Sequence, residues 1–387
     1  MDIKQIYDFV NGATQEAIGE SAIVNEDLSN IVDIGTAIFN ANAMDHYVKA
    51  LVNRIGKTIF VNRVYQGEAP SVMMDGWEYG SVLQKVSAGL PEATENETWE
   101  LQDGQSYDPH IFHAPKGVQA KFYNKYVTFE VDMSFTEEQL KCSFNSVTQL
   151  NGFISMLYTN VENTMTVKIE ALTKRTINNM IGETIHDDYA STALASKSGV
   201  KAVNLLYLYN QTVAEADKLT AATAIMNPAF IRFAAYQIKL TYGRMKTMST
   251  LFNAGEQPRF TPKDMAHIVL LEDFASGADV YLQSDTFHNE LTKLPEAERV
   301  TYWQGSGTDF AFNNVSKIDI KTASGDTVTT TGILGVIYDR WALGISNVER
   351  KVTSQWTPNA EFFTNFYKYK AAYFNDLNEN FVVFFVA

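Results

Sequence analysis

The strongest periodicity in this chain is helical and lies near its middle. Apolar residues recur there at steps of three and four, which places them on one face of an α-helix. The stripe consists of Leu140, Phe144, Val147, Leu150, Ile154, Leu157, Val161, Met165, Ile169 and Leu172. Thr136 with Gln139 forms a capping-box pattern at the start. Asn151 and Gly152 predict a break because both are poor helix formers, so we expect a second, long helix over 153–185.

Two segments of alternating apolar and polar residues, 78–87 and 117–133, flank a long tract rich in acids, glycine and proline. A strand, a polar excursion and a second strand are the pattern of an extended β-hairpin. The acidic middle cannot bury itself, so we expect it to project. Structureless excursions longer than about 12–15 residues are uncommon in a compact subunit. The hairpin is therefore expected to lie on something other than its own core.

Residues 1–65 predict an N-terminal arm with little core of its own. Polar stretches rich in Asn and Asp separate short apolar groups, and one helix is predicted over 35–55. A terminal segment of this kind usually needs a partner surface to become ordered.

The second half of the chain mixes helix and strand signals. A helix is predicted from Pro228 to Lys246, with proline in its first turn. Short buried strands are predicted at 267–271, 279–282, 315–320 and 332–338, with a tight turn at 324–326. The aromatic segment 348–387 is strand-rich and ends in the apolar run FVVFFVA, which indicates strands that close a core begun elsewhere. The expected fold class is α+β.

Composition narrows the classes of function. The 387 residues are 45% hydrophobic, enough apolar material for two or three cores. The net charge is −14 and no Lys/Arg run occurs, which disfavours a protein that grips nucleic acid. The densest cationic set, Lys239, Arg244 and Lys246, is expected to line a solvated helix end.

Targeting signals are lacking in the sequence. Cys142 is the only cysteine, which excludes an intramolecular disulfide and indicates folding in the cytoplasm. The N-terminus does not read as a signal peptide, and the run FVVFFVA is far too short to cross a bilayer. We expect no membrane association.

Candidate metal and cation sites are weak. His110 and His113 form a close pair without a third ligand nearby, and an exposed loop pair is the better interpretation. Asp187 and Asp188 could bind a cation, although such a pair more often ends a solvated helix. We expect no metal.

Catalytic motifs are equally weak. The segment 305–307 lacks the third glycine of a dinucleotide fingerprint, and no P-loop, Gly-x-Ser-x-Gly or His-Glu-x-x-His motif occurs. The acid clusters Glu95, Glu97, Glu100 and Glu296, Glu298 resemble surface acids more than a hydrolytic carboxylate pair. We expect no catalytic residue and no cofactor.

The order of these parts resembles the major capsid proteins of tailed phages. Their fold was first described in coliphage Hong Kong ninety-seven and is shared by herpesvirus capsid floors and encapsulins. The tracts FTPKDMAHIVLLEDF (Phe260–Phe274) and GVIYDRWALGISNVERKVTSQWTPNAEFFTNFYKYKAAYF (Gly335–Phe374) are also similar to capsid-protein sequence. The resemblance implies five parts: an N-arm at 1–65, the E-loop hairpin with flanking P-domain strands at 66–135, a P-domain spine helix at 136–199, an A-domain at 200–345 and C-terminal P-domain strands at 346–387.

The resemblance also implies a function. Such a protein folds in the host cytoplasm and self-assembles, as hexamers and pentamers, into the icosahedral shell of the virion. The shell encloses double-stranded DNA without sequence-specific binding, and a portal protein is a further partner. Some members begin with a scaffolding region that this sequence lacks, so a separate scaffolding protein is expected. Lys85 and Lys116 flank the hairpin, but no partner Asn or catalytic Glu can be matched, so no covalent cross-link is inferred.

Three alternatives remain at the level of sequence. An encapsulin-like nanocompartment shares the fold. Another virion protein, of the tail or baseplate, would lack the long helix. A cytoplasmic enzyme with a carboxylate-based site would need a convergent motif that the sequence does not show.

Overall fold

The structure, a computed structural model of the chain, describes most of the second half and parts of the first. The described residues are 3–19, 24–25, 29–40, 43, 46–47, 50, 72–74, 83–90, 117–136, 147–190, 192–283, 297–305 and 308–387.

The helices of the described residues are α1 (Ile3–Ile18), α2 (Ile31–Asn40), α3 (Val147–Tyr189), α4 (Leu205–Asn210), α5 (Ala221–Ala224), α6 (Pro228–Arg244), α7 (Glu272–Gln283) and α8 (Phe312–Val315), with short 3-10 turns at Leu194–Ser196, Glu215–Asp217 and Pro358–Ala360. The strands are β1 (Met73–Met74), β2 (Leu83–Ser87), β3 (Gln119–Tyr123), β4 (Tyr126–Thr136), β5 (Ala202–Asn204), β6 (Ala266–Leu271), β7 (Glu298–Val300), β8 (Ile318–Lys321), β9 (Thr327–Thr330), β10 (Ile333–Asp339), β11 (Leu343–Thr357), β12 (Phe362–Asn375) and β13 (Phe381–Phe385).

The long helix α3 is continuous over 43 residues, about 65 Å at 1.5 Å per residue. The predicted break at Asn151 and Gly152 is wrong. A glycine inside a helix costs only about 1 kcal/mol relative to alanine. Burial of the apolar stripe beyond it outweighs that cost, since Val161 and Met165 are each 1% exposed. Thr136 ends strand β4, and Gln139 of the predicted capping box lies outside the described residues.

A five-stranded sheet, in the order β5-β13-β10-β6-β7, forms the centre of the second half of the chain. The final strand β13 alternates between two cores, as the period of two in a strand requires. Phe381, Val383 and Phe385 join the core that contains α3. Val382 and Phe384 join a second core with α6 and α7. This explains why the run FVVFF is apolar at every position.

A four-stranded sheet, in the order β1-β11-β12-β4, packs beside the long helix. Strands β11 and β12 pair antiparallel from Leu343–Asn375 to Thr357–Phe362, with one irregularity after Asn347. Tyr367 and Tyr369 of β12 are fully buried, and the lysines that alternate with them are not. The predicted strand-rich C-terminal segment is therefore confirmed, and its strands are shared between two sheets.

The N-terminal segment packs onto its own subunit, which contradicts the expectation that it needs a neighbour to become ordered. Val10 and Ala13 of α1, with Ile38 of α2, are fully buried in the same core as α3. The predicted helix over 35–55 begins earlier, at Ile31, and is interrupted at Ala43. Helices α1 and α2 contact each other, and their buried apolar residues belong to this core.

The other predicted elements divide as follows. The helix at Pro228, the strands at 267–271 and 332–338 and the turn at 324–326 are confirmed. The predicted strand at 279–282 is wrong because these residues belong to helix α7. The predicted strand at 315–320 is half right, since Val315 ends a helix and β8 begins at Ile318. Within the described residues, no helix combines the length and apolarity needed to cross a bilayer.

Candidate functional site

The base of the predicted hairpin is present as the antiparallel pair β2–β3, and its two faces differ in chemistry. Lys85 and Lys121 lie directly opposite each other on the inner face. Two like charges in that position repel and destabilise a sheet. The hairpin base therefore needs an acid between its lysines.

Asp376, in the turn between β12 and β13, provides that acid. Its Oδ2 lies 2.6 Å from Lys85 Nζ, and its Oδ1 lies 2.7 Å from Lys121 Nζ. Lys85 Nζ also lies 2.7 Å from Glu379 Oε1, and Arg259 Nε lies 3.4 Å from the same oxygen. The side chain of Asp376 is only 2% exposed. We call these five residues the hairpin anchor, because they join the hairpin base to the last turn of the chain.

Electrostatics in the hairpin anchor favours the charged state of the acid. Burial by itself raises the pKa of Asp376, but hydrogen bonds from Lys121 and Lys85 outweigh it, so the pKa is lowered. The neighbouring Tyr123 shows the opposite effect, because burial and the charge of Asp376 both raise its pKa. The aspartate is therefore an ion-pair partner and not a proton donor near neutral pH.

The outer face of the hairpin base is apolar and exposed. Val86 is 60% exposed and Phe122 is 63% exposed, and both alternate with the inward lysines of their strands. Leu90 and Val118, at the adjoining ends, are also more than half exposed. We call these four residues the outer hairpin face. Exposed apolar side chains grouped on one face of a strand pair suit a protein contact surface.

The predicted cation pair at the end of α3 has a structural role instead. Asp188 Oδ2 accepts hydrogen bonds from the backbone nitrogens of Lys201 and Ala202, each at 2.7 Å. Lys201 Nζ lies 2.5 Å from Asp187 Oδ2. The two aspartates hold the incoming strand β5 against the helix end. This structural role differs from both interpretations of the sequence, a cation site and a solvated helix end.

The other sequence candidates do not come together as a site. His110, His113, Glu95, Glu97, Glu100, Lys116 and Glu296 lie outside the described residues. Gly305 is a left-handed turn residue, with φ at 103°. Glu298 lies in the edge strand β7. In the described part of the chain, no group of three or more His, Cys, Asp or Glu side chains could hold a metal ion.

Sequence reasoning missed most of the hairpin anchor. Lys85 was noted only as a flanking lysine, and Lys121, Asp376, Glu379 and Arg259 were not identified. A local signal was present, because lysine takes an inward position in each of two short, alternating strands. The acids lie more than 250 residues away along the chain, so only the fold could identify them as partners.

Comparisons with solved structures identify the class of fold. A capsid structure of Staphylococcus phage Andhra matches with a TM-score of 0.50 at 8% identity, covering 82% of this chain and 83% of that chain. A capsid structure of the cyanophage P-SCSP1u matches with a TM-score of 0.44 at 9% identity, covering 85% and 92%. A search of curated proteins gave no match. The fold of this chain is that of a phage capsid protein.

The family follows from the sequence match. The family model described as "Phi29-like phage major capsid protein" matches residues 8–385, and this chain belongs to that family. It is therefore a shell protein of a phage virion, and it associates with copies of itself into an icosahedral capsid. The match does not favour the alternatives of an encapsulin, a tail or baseplate protein, or a cytoplasmic enzyme.

Proposed function

We propose that the outer hairpin face forms a contact between neighbouring subunits, within hexamers and pentamers of the shell. The observation that carries this proposal is the exposure of Val86 and Phe122 on a rigidly anchored hairpin. An exposed strand pair with an apolar face gains stability by burial against a partner. A second copy of this chain is the partner that a shell supplies in greatest number.

The hairpin anchor supports this role because it fixes the direction of the hairpin before assembly. Lys85 and Lys121 are held from one side by the same carboxylate. A surface that is ordered in the free subunit loses less conformational entropy on binding, so more of its burial contributes to affinity. The anchor therefore prepares the outer hairpin face without taking part in the contact.

Charge substitution on the outer hairpin face tests the proposal. Phe122→Glu and Val86→Glu leave the subunit core intact, so circular dichroism should be unchanged. Burying the new carboxylate at a subunit contact costs several kcal/mol, so assembly should fail. Sedimentation of the expressed protein, with its scaffolding protein if required, measures the loss of shells.

Val200→Glu is the matched control. Val200 is 51% exposed, lies between Gly199 and Lys201, and is far along the chain from the hairpin. Normal shells in the control, together with soluble capsomers or monomers in the hairpin variants, support the proposal. Normal shells from Phe122→Glu would contradict it.

We further propose a separate scaffolding protein and a portal protein as partners. Helix α1 is not a removable scaffold segment, because its buried Val10 and Ala13 belong to the subunit core. The net charge of −14 supports a wall that encloses double-stranded DNA without sequence-specific binding. We also propose that the subunit acts without catalysis, as a structural protein.

The division of the chain stays a proposal as well. We propose an N-arm at 1–65, a hairpin region at 66–135, a spine-helix region at 136–199, an A-domain at 200–345 and C-terminal strands at 346–387. Strand pairing favours one refinement. Strand β13 lies between β5 and β10, so residues 381–385 complete the sheet of the A-domain segment.

A further inference from the structure

A cavity of about 740 Å³ lies at the C-terminal end of α6. Lys239 lines it from the helix, Lys246 from just beyond the helix end at Arg244, and Lys263 from the loop that leads into β6. His267 and Glu298 line the opposite side from β6 and β7. Lys239 and Lys246 are exposed, as the sequence predicted for a solvated helix end, and both line the cavity, whereas Arg244 does not.

The lysines of this cavity lack acidic partners among the described residues. The described lysines Lys85, Lys121, Lys174, Lys201, Lys218 and Lys368 all form ion pairs with carboxylates. Neither Lys239 nor Lys263 has an ion pair within the described part of the chain. Lys246 has no ion pair there either, and its Nζ lies 4.9 Å from the centre of the Tyr242 ring in a cation–π contact.

The lining residues carry three lysines and one glutamate, so the cavity is positive inside a chain whose net charge is −14. A concave wall of low dielectric concentrates the field of such charges. The cavity is also within the range of about 300–1,000 Å³ that is typical of small-molecule sites. Its charge and size both match a compact anion, whereas a duplex is too wide to enter it.

We propose that this cavity binds a short chain of phosphate groups, either as inorganic polyphosphate or as the phosphates of a nucleotide. Each lysine ammonium is a point charge with three donors and suits a phosphate oxygen from any direction. Lys239 lies in the last turns of α6, Lys246 follows the end of that helix at Arg244, and Lys263 comes from a separate segment. Phosphates between them would be contacted from more than one direction.

His267 adds a neutral polar group to the site. Burial lowers its pKa, which keeps the ring uncharged near neutral pH. Its ring stacks on Tyr338 at 5.5 Å between centroids, so its orientation is fixed. Recognition of the anion is therefore assigned to the lysines, with the histidine as a hydrogen-bonding neighbour.

Calorimetric titration of the full chain with sodium tripolyphosphate tests the proposal. We expect one saturable site per chain, with affinity that falls as salt rises. Lys239→Gln and Lys263→Gln should each weaken binding by at least about tenfold, since a hydrogen bond to a charged group contributes about 1.5–3 kcal/mol. Lys168→Gln, at an exposed lysine of α3, is the matched control and should bind as the unchanged chain does.

Two further titrations distinguish the source of the phosphates. If adenosine triphosphate binds with the same affinity as tripolyphosphate, the cavity recognises the phosphate chain alone. If adenosine triphosphate binds more tightly, the ligand is a nucleotide. No saturable binding at millimolar tripolyphosphate, or unchanged binding in both lysine variants while circular dichroism confirms the fold, would overturn the proposal. Competition in which single-stranded DNA displaces tripolyphosphate at much lower concentration would also overturn it, in favour of a nucleic-acid contact.

Discussion

Asp376 is the residue on which the position of the hairpin depends. Two lysines face each other across β2 and β3, and the aspartate lies between them with 2% exposure. The opposed lysines would be unfavourable in an isolated hairpin, so the hairpin base is stable only where this carboxylate meets it. A local conflict in the sequence is thus resolved by a distant residue.

Asp376→Asn should therefore destabilise the subunit by about 2 kcal/mol, because two charge-assisted hydrogen bonds weaken and the lysines repel. Urea unfolding of the unassembled chain measures the change. Glu215→Gln, in the exposed pair with Lys218, is the control and should change stability by less than about 0.5 kcal/mol. Equal effects at both positions would mean that the anchor contributes no more than a surface pair.

The same carboxylate predicts an acid-sensitive contribution to stability. The pKa of Asp376 is lowered in the folded state, so the folded chain binds fewer protons than the unfolded chain as pH falls. The contribution of the Asp376 ion pairs to the stability of the fold is present above the ordinary pKa of 3.8. It is lost as pH falls through the lower pKa of the folded state. Burial raises the pKa of nearby Asp339, which acts in the opposite direction.

Comparison of the unchanged chain with Asp376→Asn isolates the pH-dependent contribution of Asp376 to stability. The difference in unfolding free energy between them should be constant from pH 7 to about pH 5 and should shrink below about pH 4. Chemical unfolding at several pH values provides the measurement. A difference that grows as pH falls would have the wrong sign for an ion-paired aspartate.

At the scale of elements, α3 is the helix around which both sheets are arranged. Its stripe of Val161, Met165, Ile169 and Leu172 is buried, while Lys168 between them is exposed. The periodicity predicted this face correctly. The wrongly predicted break shows that local propensity is a weak constraint when tens of ångströms of apolar face are available for packing.

Val161→Asp should cost about 3–5 kcal/mol, because the new charge enters the core without a partner. Lys168→Glu should be close to neutral. Thermal or urea unfolding of the two variants compares them directly. Leu157 and Asn160, which the periodicity suggests as a second pair, have side chains outside the described residues. Similar losses at Val161 and Lys168 would show that the buried face is misassigned.

At the scale of the whole molecule, folding and assembly use different surfaces. The two larger cores are formed by α1, α2, α3, α6, α7 and the two larger sheets, and no residue of the outer hairpin face belongs to either core. Ser87 pairs with Gln119, so the chain enters and leaves the hairpin tract at adjacent positions, whereas residues 91–115, which the sequence predicts to project, lie outside the described residues. Removal of the tract can therefore be bridged without strain in the subunit.

Replacement of residues 91–115 by a two-residue Asn-Gly turn should leave a folded subunit that does not form shells. Asn-Gly suits the tight turn between paired strands. Circular dichroism and unfolding measure the first part, and sedimentation measures the second. An unfolded variant would show that the tract belongs to the core of the subunit. Intact shells would show that the hairpin is not needed for assembly.

The sequence by itself determined the elements whose signal is local and repeated along the chain. The helical stripe, the alternating strands at the hairpin base, Pro228 at its helix start and the apolar final strand were all predicted, because side-chain periodicity records which faces are buried. The order of these elements was sufficient for the resemblance to phage capsid proteins. The acidic balance indicated a protein that does not grip DNA.

Only the tertiary structure decided which distant residues meet. Asp376 and Lys121 are separated by 255 positions, and no local pattern pairs them. The cavity lined by Lys239 and Lys263 likewise exists only because a helix end and a loop approach the same strand. Helix α1 was expected to need a neighbour, yet its Val10 and Ala13 are buried in the core of its own subunit. Burial and ion pairing join residues that are close in space, whereas periodicity is a pattern of residues that are close along the chain. The helices and strands could therefore be predicted from the sequence, but the contacts between distant residues could not.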